Sequence, residues 1–462
     1  MRILLRAAVA ALVLLSFVLL APARAALSYA ERVRETVLPN GLKLLLLEDH
    51  KAPVAVMQIW YRVGSRNEQL GRTGLSHLLE HLMFKGTKNT GPEEYSRIIQ
   101  RNGGTNNAFT SNDATTYFAN IASDRLPVAI DLEADRMLNL SFDDAQFAPE
   151  LHVVMEERRL RTEDNPVSAL FELISSTAYM AHPYQWPVIG WMDDLKQATR
   201  QDAMEYYQMY YGPQNAVVTC VGDFSADALT AKLQAAFGGL PSGNPPPKMR
   251  ALEPEQQGER RTVLRREAQL PFVALAYHVP TLRNKDAAAL EVLSEVLAGG
   301  ESARLHQQLV YEKRLARDVG AGYDLTSVDP SLFVIYAQPL PGKPVAAVER
   351  ELQAQIERLQ RTPLNEREIT KAKNGLAAAF VFGQDSLFYQ GMLLGQYEMA
   401  GDWRLLDSYL PGVQAVTSDD IMRVASSYFT PRNRTVGILE PLPTTGKRPA
   451  PAPAVPPSGM VH

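Results

Sequence analysis

Ala198-Thr199-Arg200-Gln201-Asp202-Ala203-Met204, running on to Tyr211-Gly212-Pro213-Gln214-Asn215, returns near the end of the chain as Val416-Thr417-Ser418-Asp419-Asp420-Ile421-Met422 and Phe429-Thr430-Pro431-Arg432-Asn433. Thr, Asp, Pro and Asn recur at one constant offset, together with their apolar neighbours, which is the mark of an internal repeat. In each copy the Thr can cap a helix, and the Pro/Asn turn leads into a β-branched strand. The chain reads as a duplicated domain.

Outward from the repeat, strand-like and helix-like signals are mixed. Gly41 to Glu48 (GLKLLLLE), Val54 to Val63 (VAVMQIWYRV) and Phe272 to His278 (FVALAYH) read as strands. Leu75 to Phe84, Pro127 to Leu138 and Ala287 to Leu297 carry helical apolar spacing. This alternation predicts an α+β fold, two duplicated α/β-sandwich domains, with strand order left open. The Pro-rich run from Leu240 to Pro247, with the polar stretch after it, reads as a linker. The expected organisation is a signal segment at 1–25, a first domain at 26–238, a linker at 239–261 and a second domain at 262–440. A disordered tail rich in Pro and Ala is expected at 441–462.

With 46% hydrophobic and 21% charged residues the composition is that of a globular protein, which excludes wholesale disorder. Lys+Arg 47 against Asp+Glu 51 gives a net charge of −4, so nothing in the charge supports nucleic-acid binding. Arg2 and Arg6, the apolar run from Ala7 to Ala21 and Ala23-Arg24-Ala25 have the form of an export signal with its cleavage site. An uncleaved anchor is the alternative, but the run is short for a spanning helix and Pro22 ends it. The expectation is an exported, periplasmic chain free of the membrane once the signal is removed. The single cysteine, Cys220, excludes an intramolecular disulfide and reads as a small buried strand residue.

The chemistry concentrates in His77-Leu78-Leu79-Glu80-His81. On a helix, His77 and His81 project from one face a turn apart, so two imidazole nitrogens can reach one zinc ion at ~2.0–2.1 Å. Glu80 stands beside that face, placed to take a proton from an attacking water rather than to bind the metal. The apolar residues Leu75, Leu78, Leu79, Leu82, Met83 and Phe84 would bury the group. Buried ionisable side chains at this spacing need a reason to be there.

The wider stretch Gly74 to Thr87 (GLSHLLEHLMFKGT) resembles the signature of the pitrilysin/insulinase family of zinc peptidases, whose H-x-x-E-H motif is inverted relative to other zinc peptidases. That family is also built from duplicated α+β domains, so the resemblance extends over most of the chain. It implies one Zn2+ per chain on His77, His81 and a glutamate from a second helix. At the family's spacing that glutamate is Glu157, with Glu156 as its rival one residue away. The resemblance also implies a supporting carboxylate one heptad earlier, at Glu150, on the same helical face. In Gly103-Gly104-Thr105-Asn106-Asn107-Ala108-Phe109-Thr110 it implies an edge strand on which Asn107 and Ala108 hold the peptide substrate in extended form. His182-Pro183-Tyr184 is also similar to the family and is expected to serve in a loop. His152 is expected at the surface.

The second half departs from the pattern. Laying Leu290–Val296 on Leu75–His81 puts Val292 and Val296 in the histidine places, so no second metal site is expected. Complete family members carry an arginine and a tyrosine here that contact substrate. The corresponding positions are Val310 and Arg317, while Arg304 and Tyr311 have the right separation in the wrong register. The resemblance is then to the zinc-bearing chain of two-chain, processing-peptidase-like members. It implies a zinc metalloendopeptidase acting as a heterodimer, with a homologous partner that supplies the missing pair. The alternative is a non-catalytic structural or peptide-binding member of the same fold.

Overall fold

The computed structural model describes residues 28–243 and 245–443. The expected signal segment and the tail from 444 onward lie outside the described residues.

The first half contains strands β1 (Val33–Val37), β2 (Lys43–Glu48), β3 (Val54–Tyr61), β4 (Thr105–Thr110), β5 (Thr115–Ala122) and β6 (Ala216–Gly222). Its principal helices are α1 (Leu75–Leu82), α2 (Leu126–Asn139), α3 (Asp144–Arg158), α4 (Pro166–Ala178), α5 (Arg200–Tyr210) and α6 (Ala226–Phe237). The second half contains β7 (Arg260–Glu267), β8 (Phe272–Val279), β9 (Ala316–Gly322), β10 (Ser331–Pro339) and β11 (Arg434–Leu442). Its principal helices are α7 (Ala287–Ala298), α8 (Val345–Arg361), α9 (Glu366–Gly383), α10 (Leu387–Ala400) and α11 (Ser418–Tyr428).

One sheet runs β1-β2-β6-β3-β5-β4 and the other β7-β11-β8-β10-β9. Apart from β1, the two orders are the same, with the last strand of each half inserted parallel to the first and antiparallel to the second. The repeated segments at 198–215 and 416–433 build equivalent parts in both halves. Thr199 and Thr417 each cap a helix by accepting the backbone N–H of Asp202 and Asp420, and the turns that follow deliver β6 and β11.

The unbroken Leu44-Leu45-Leu46-Leu47 run of β2 is explained by burial on both faces of its sheet. Leu44 and Leu46 enter the core beneath the first half's own helices, whereas Leu45 and Leu47 face a second core formed with Met392, Leu393, Leu394 and Tyr397 of α10. The exchange is reciprocal. Val167, Leu170 and Ile174 of α4 pack on Phe272, Ala274, Ala276 and Leu439 of the second sheet. Each half thus lends a helix to the other's sheet. At ~1.5–3 kcal/mol for each large apolar side chain buried, the two exchanges hold the halves together. Lys43 and Arg62 add ion pairs to Glu398, each at 2.7 Å.

Among the described residues of 238–259 there is no helix or strand, but β7 begins at Arg260, inside the stretch expected as linker. Likewise β11 runs to Leu442, past the expected start of the tail, because its pairing with β7 continues to Leu442 opposite Glu267. No helix of the described residues is long and apolar enough to cross a membrane. Cys220 is fully buried on β6 and has a free thiol.

Candidate active site

Helix α1 starts at Gly74, whose φ of 88° favours glycine. A Cβ there would also stand 2.7 Å from the Ile189 carbonyl oxygen. The helix start is held by Glu68, whose two carboxylate oxygens accept the N–H groups of Gly74 and Ser76 at 2.7 Å each. Burial pushes the Glu68 carboxyl up to about 8, against the lowering effect of these hydrogen bonds. The short helix is thereby anchored at its start, ahead of His77 in its first turn and Glu80 and His81 in its second.

Helix α3 crosses α1. Its N-terminus is fixed by a reciprocal Asp143/Gln146 cap, and its C-terminus widens into a π-helical turn at Arg159–Glu163. The crossing brings His77, His81 and Glu157 together with ligating atoms all within 4.8 Å of one another. His81 Nε2 lies 3.4 Å from one Glu157 oxygen and His77 Nε2 lies 3.8 Å from the other. A tetrahedral ion with bonds of ~2.0–2.2 Å needs donor atoms about 3.3–3.6 Å apart, so small inward movements would complete the cage. Among the described residues no other such group of three exists. Val292 and Val296 lie in the apolar core of the second half.

Glu150 lies one heptad before Glu157 and 2.9 Å from His81 Nδ1. With Nδ1–H donating to Glu150, His81 would turn an Nε2 lone pair toward the cage once its second proton has left. Lys85, one turn beyond His81, pairs with the other Glu150 oxygen at 2.5 Å. Glu156 instead pairs with Arg159 at the surface, so of the two candidates Glu157 meets the histidines. His152 is exposed.

The electrostatics suit a cation. Burial, reinforced by the charge of His81, lowers the His77 pKa to about 4. Burial would lower His81 too, but hydrogen bonds to Glu150 and Glu157 outweigh it and raise the pKa to about 9. Glu157 is buried enough to favour its neutral form, yet the hydrogen bond from His81 and the charges of His77 and Arg161 hold it below the usual carboxylate range. His77 Nδ1 is buried with no hydrogen-bond partner among the described residues. Two imidazoles and one carboxylate fit zinc with a fourth position left open.

Glu80 stands apart from the cage. Its carboxyl is raised by burial, against the hydrogen bond from Thr110, whose hydroxyl donates to it at 2.5 Å. Thr110 ends β4, the edge strand of the first sheet, which also carries Asn107 and Ala108. The Asn107 side chain accepts the Ala108 N–H at 2.9 Å. These residues line a cavity of about 660 Å³ whose opposite wall comes from the second half, through Asp324, Thr326, Gln396 and Met399.

Sequence reasoning missed Thr110, Lys85, Arg161 and that wall. Arg161 pairs with Glu157 at 2.7 Å from one helical turn away, a spacing that could have flagged it. Nothing local in the sequence signals Thr110 or the second-half wall. Among the described residues, no arginine or tyrosine of the second half lines the cavity. Arg317 is exposed, Val310 packs on the apolar core of the second half, and Arg304 is held by both oxygens of Glu368 at 2.9 Å.

The family described as "Insulinase (Peptidase family M16)" matches residues 43–190, and "Peptidase M16 inactive domain" matches residues 197–376. The chain is 34% identical over 420 residues to zinc protease PqqE of Helicobacter pylori, covering 90% of this chain and 94% of that one. It is 32% identical over 407 residues to an uncharacterized zinc protease of Mycobacterium tuberculosis, covering 86% and 91%. A crystal structure of a protease from Helicobacter pylori superposes with a TM-score of 0.86 at 34% identity, over 89% of this chain and 100% of that one. An M16-like peptidase from Alicyclobacillus acidocaldarius, 17% identical, shares the fold with a TM-score of 0.77 over 89% and 98%. The chain belongs to the M16, or insulinase, family of peptidases.

Proposed function

We propose that this chain is an exported zinc metalloendopeptidase that hydrolyses peptides or unfolded segments, working as the catalytic chain of a heterodimer. The reading is carried by the convergence of His77, His81 and Glu157 within 4.8 Å, beside a Glu80 directed to the edge strand. These three residues would hold one zinc ion per chain, and Glu150 orients His81. Zinc bound there supplies Lewis acidity that polarises the scissile carbonyl and makes a water more acidic. Glu80 takes the proton of the attacking water and passes it to the leaving amine, a role favoured by its raised pKa. Asn107 and Ala108 present the backbone of β4 to an extended peptide, which gains main-chain hydrogen bonds with little demand on its sequence.

The partner is inferred from what the second half lacks. With Val310 and Arg317 in place of the arginine and tyrosine, a homologous chain would complete the contacts to substrate. Export rests on the N-terminal pattern of basic, apolar and A-x-A segments.

The test is cleavage of a quenched fluorescent peptide by the mature chain, alone and mixed with a homologue that carries the Arg/Tyr pair. Activity only in the mixture, abolished by chelator and reduced roughly 10²–10⁴-fold by Glu80→Gln, is expected. Full activity of the single chain would discard the heterodimer. A Glu80→Gln chain that still turned over would discard the mechanism.

A further inference from the structure

The His182-Pro183-Tyr184 segment lies away from the metal cage, yet it is buried at a junction of the two halves. Tyr184 Oη donates to the Asp113 carboxylate, 2.7 Å from each oxygen, and accepts the backbone N–H of Asp329 at 3.2 Å. Asp113 Oδ2 accepts the backbone N–H of Val328 at 3.0 Å. Arg66 lies 3.1 Å from both Asp113 and Asp329. His182 Nδ1 accepts the Tyr184 N–H at 3.2 Å, so its Nε2–H is the donor to Asp329, at 3.1 Å.

Arg66, Asp113, His182 and Tyr184 belong to the first half, Val328 and Asp329 to the second. Asp113 sits in the turn joining β4 to β5, directly after Thr110, the partner of Glu80. Val328 and Asp329 sit in the loop joining β9 to β10, which sends Asp324 and Thr326 into the catalytic cavity. Buried charges persist where each finds its partners, and such a network admits one geometry rather than many.

We infer that Arg66, Asp113, His182, Tyr184 and Asp329 form a pin that locks the β9–β10 loop against the β4–β5 turn, so that these positioning residues set the width of the peptide-binding cleft. The inference rests on the peptidase reading for its kinetic consequence but not for its structural one. The pin acts on how substrate is held, while the metal cage and Glu80 stay as they are.

Tyr184→Phe removes the hydroxyl and keeps the ring packed against His182 and Tyr179. Asp329→Ala removes the other junction and serves if the first variant folds poorly. Amide hydrogen exchange of residues 324–331 is measured in the zinc-loaded full-length chain, followed by peptide cleavage with the partner present. The expected result is exchange at Val328 and Asp329 faster by roughly tenfold or more, with KM raised by a similar factor and kcat and zinc content unchanged. Unchanged exchange overturns the pin. A loss confined to kcat, or accompanied by zinc loss, overturns its placement on substrate binding. Absence of cleavage by the wild-type chain with every partner would sink the peptidase reading alone, because the exchange result stands without it.

Discussion

Zinc binding to this chain should release a proton, and its affinity should climb with pH. In the metal-free site His81 carries a pKa of about 9, because Glu150 and Glu157 stabilise its charged form more than burial penalises it. His77, at about 4, is already neutral at pH 7. Zinc needs a lone pair on both rings, so one proton must leave, and it leaves from His81. At pH 7 only about one His81 in a hundred is neutral, which lowers the apparent affinity about 100-fold below its limit at high pH. The expected slope is about one decade per pH unit from pH 6 to 8, flattening near 9. Protonation favours the metal-free state, so affinity rises with pH and not the reverse. The same shift stabilises the metal-free fold fully below the unfolded histidine value of about 6.5, and that contribution is lost as pH rises through about 9. Calorimetric titration of zinc in buffers of different ionisation enthalpy counts the protons directly. Glu150→Gln should lower the proton count at pH 7 and weaken zinc by roughly 10–100-fold, since His81 loses a charged acceptor. No proton release and a flat affinity profile would show that His81 is already neutral in the metal-free site.

Three other outcomes follow from the same geometry. His77→Ala should abolish stoichiometric zinc as read by metal analysis, because one carboxylate and one imidazole cannot complete the cage. Gly74→Ala combines a φ of 88° with a contact to the Ile189 carbonyl and should cost about 1–3 kcal/mol in urea unfolding. It should also weaken zinc by shifting α1. Gly395→Ala would drive a methyl into the Trp60 indole where α10 lies on the first sheet. It should cost about 1–3 kcal/mol without changing zinc affinity, since the disturbed contact is on the far face of the sheet from α1.

Much of this protein is written locally. The Thr199 and Thr417 caps, the β-branched strands after them and the i, i+4 spacing of His77 and His81 depend on backbone sterics and helix geometry within a few residues, which the sequence exposes directly. Glu157 and Glu150 are different, because periodicity alone says only that they share a face, and their meeting with the histidines became an expectation through resemblance. The structure places Glu157 in the cage and turns Glu156 to Arg159. What the sequence could not disclose are contacts between segments far apart in the chain. They include Thr110 on Glu80, the loan of α4 and α10 to the opposite sheets, and the junction of His182 and Tyr184 with Asp329. The Leu44–Leu47 run shows that a strand is buried on both faces, but not which helix covers the second one. The duplication, the elements and the helix carrying His77, Glu80 and His81 are legible in the residues alone, because they follow from local geometry and repeat register. The cleft is settled in three dimensions alone, because its walls are paired by burial and complementary charge across the two halves.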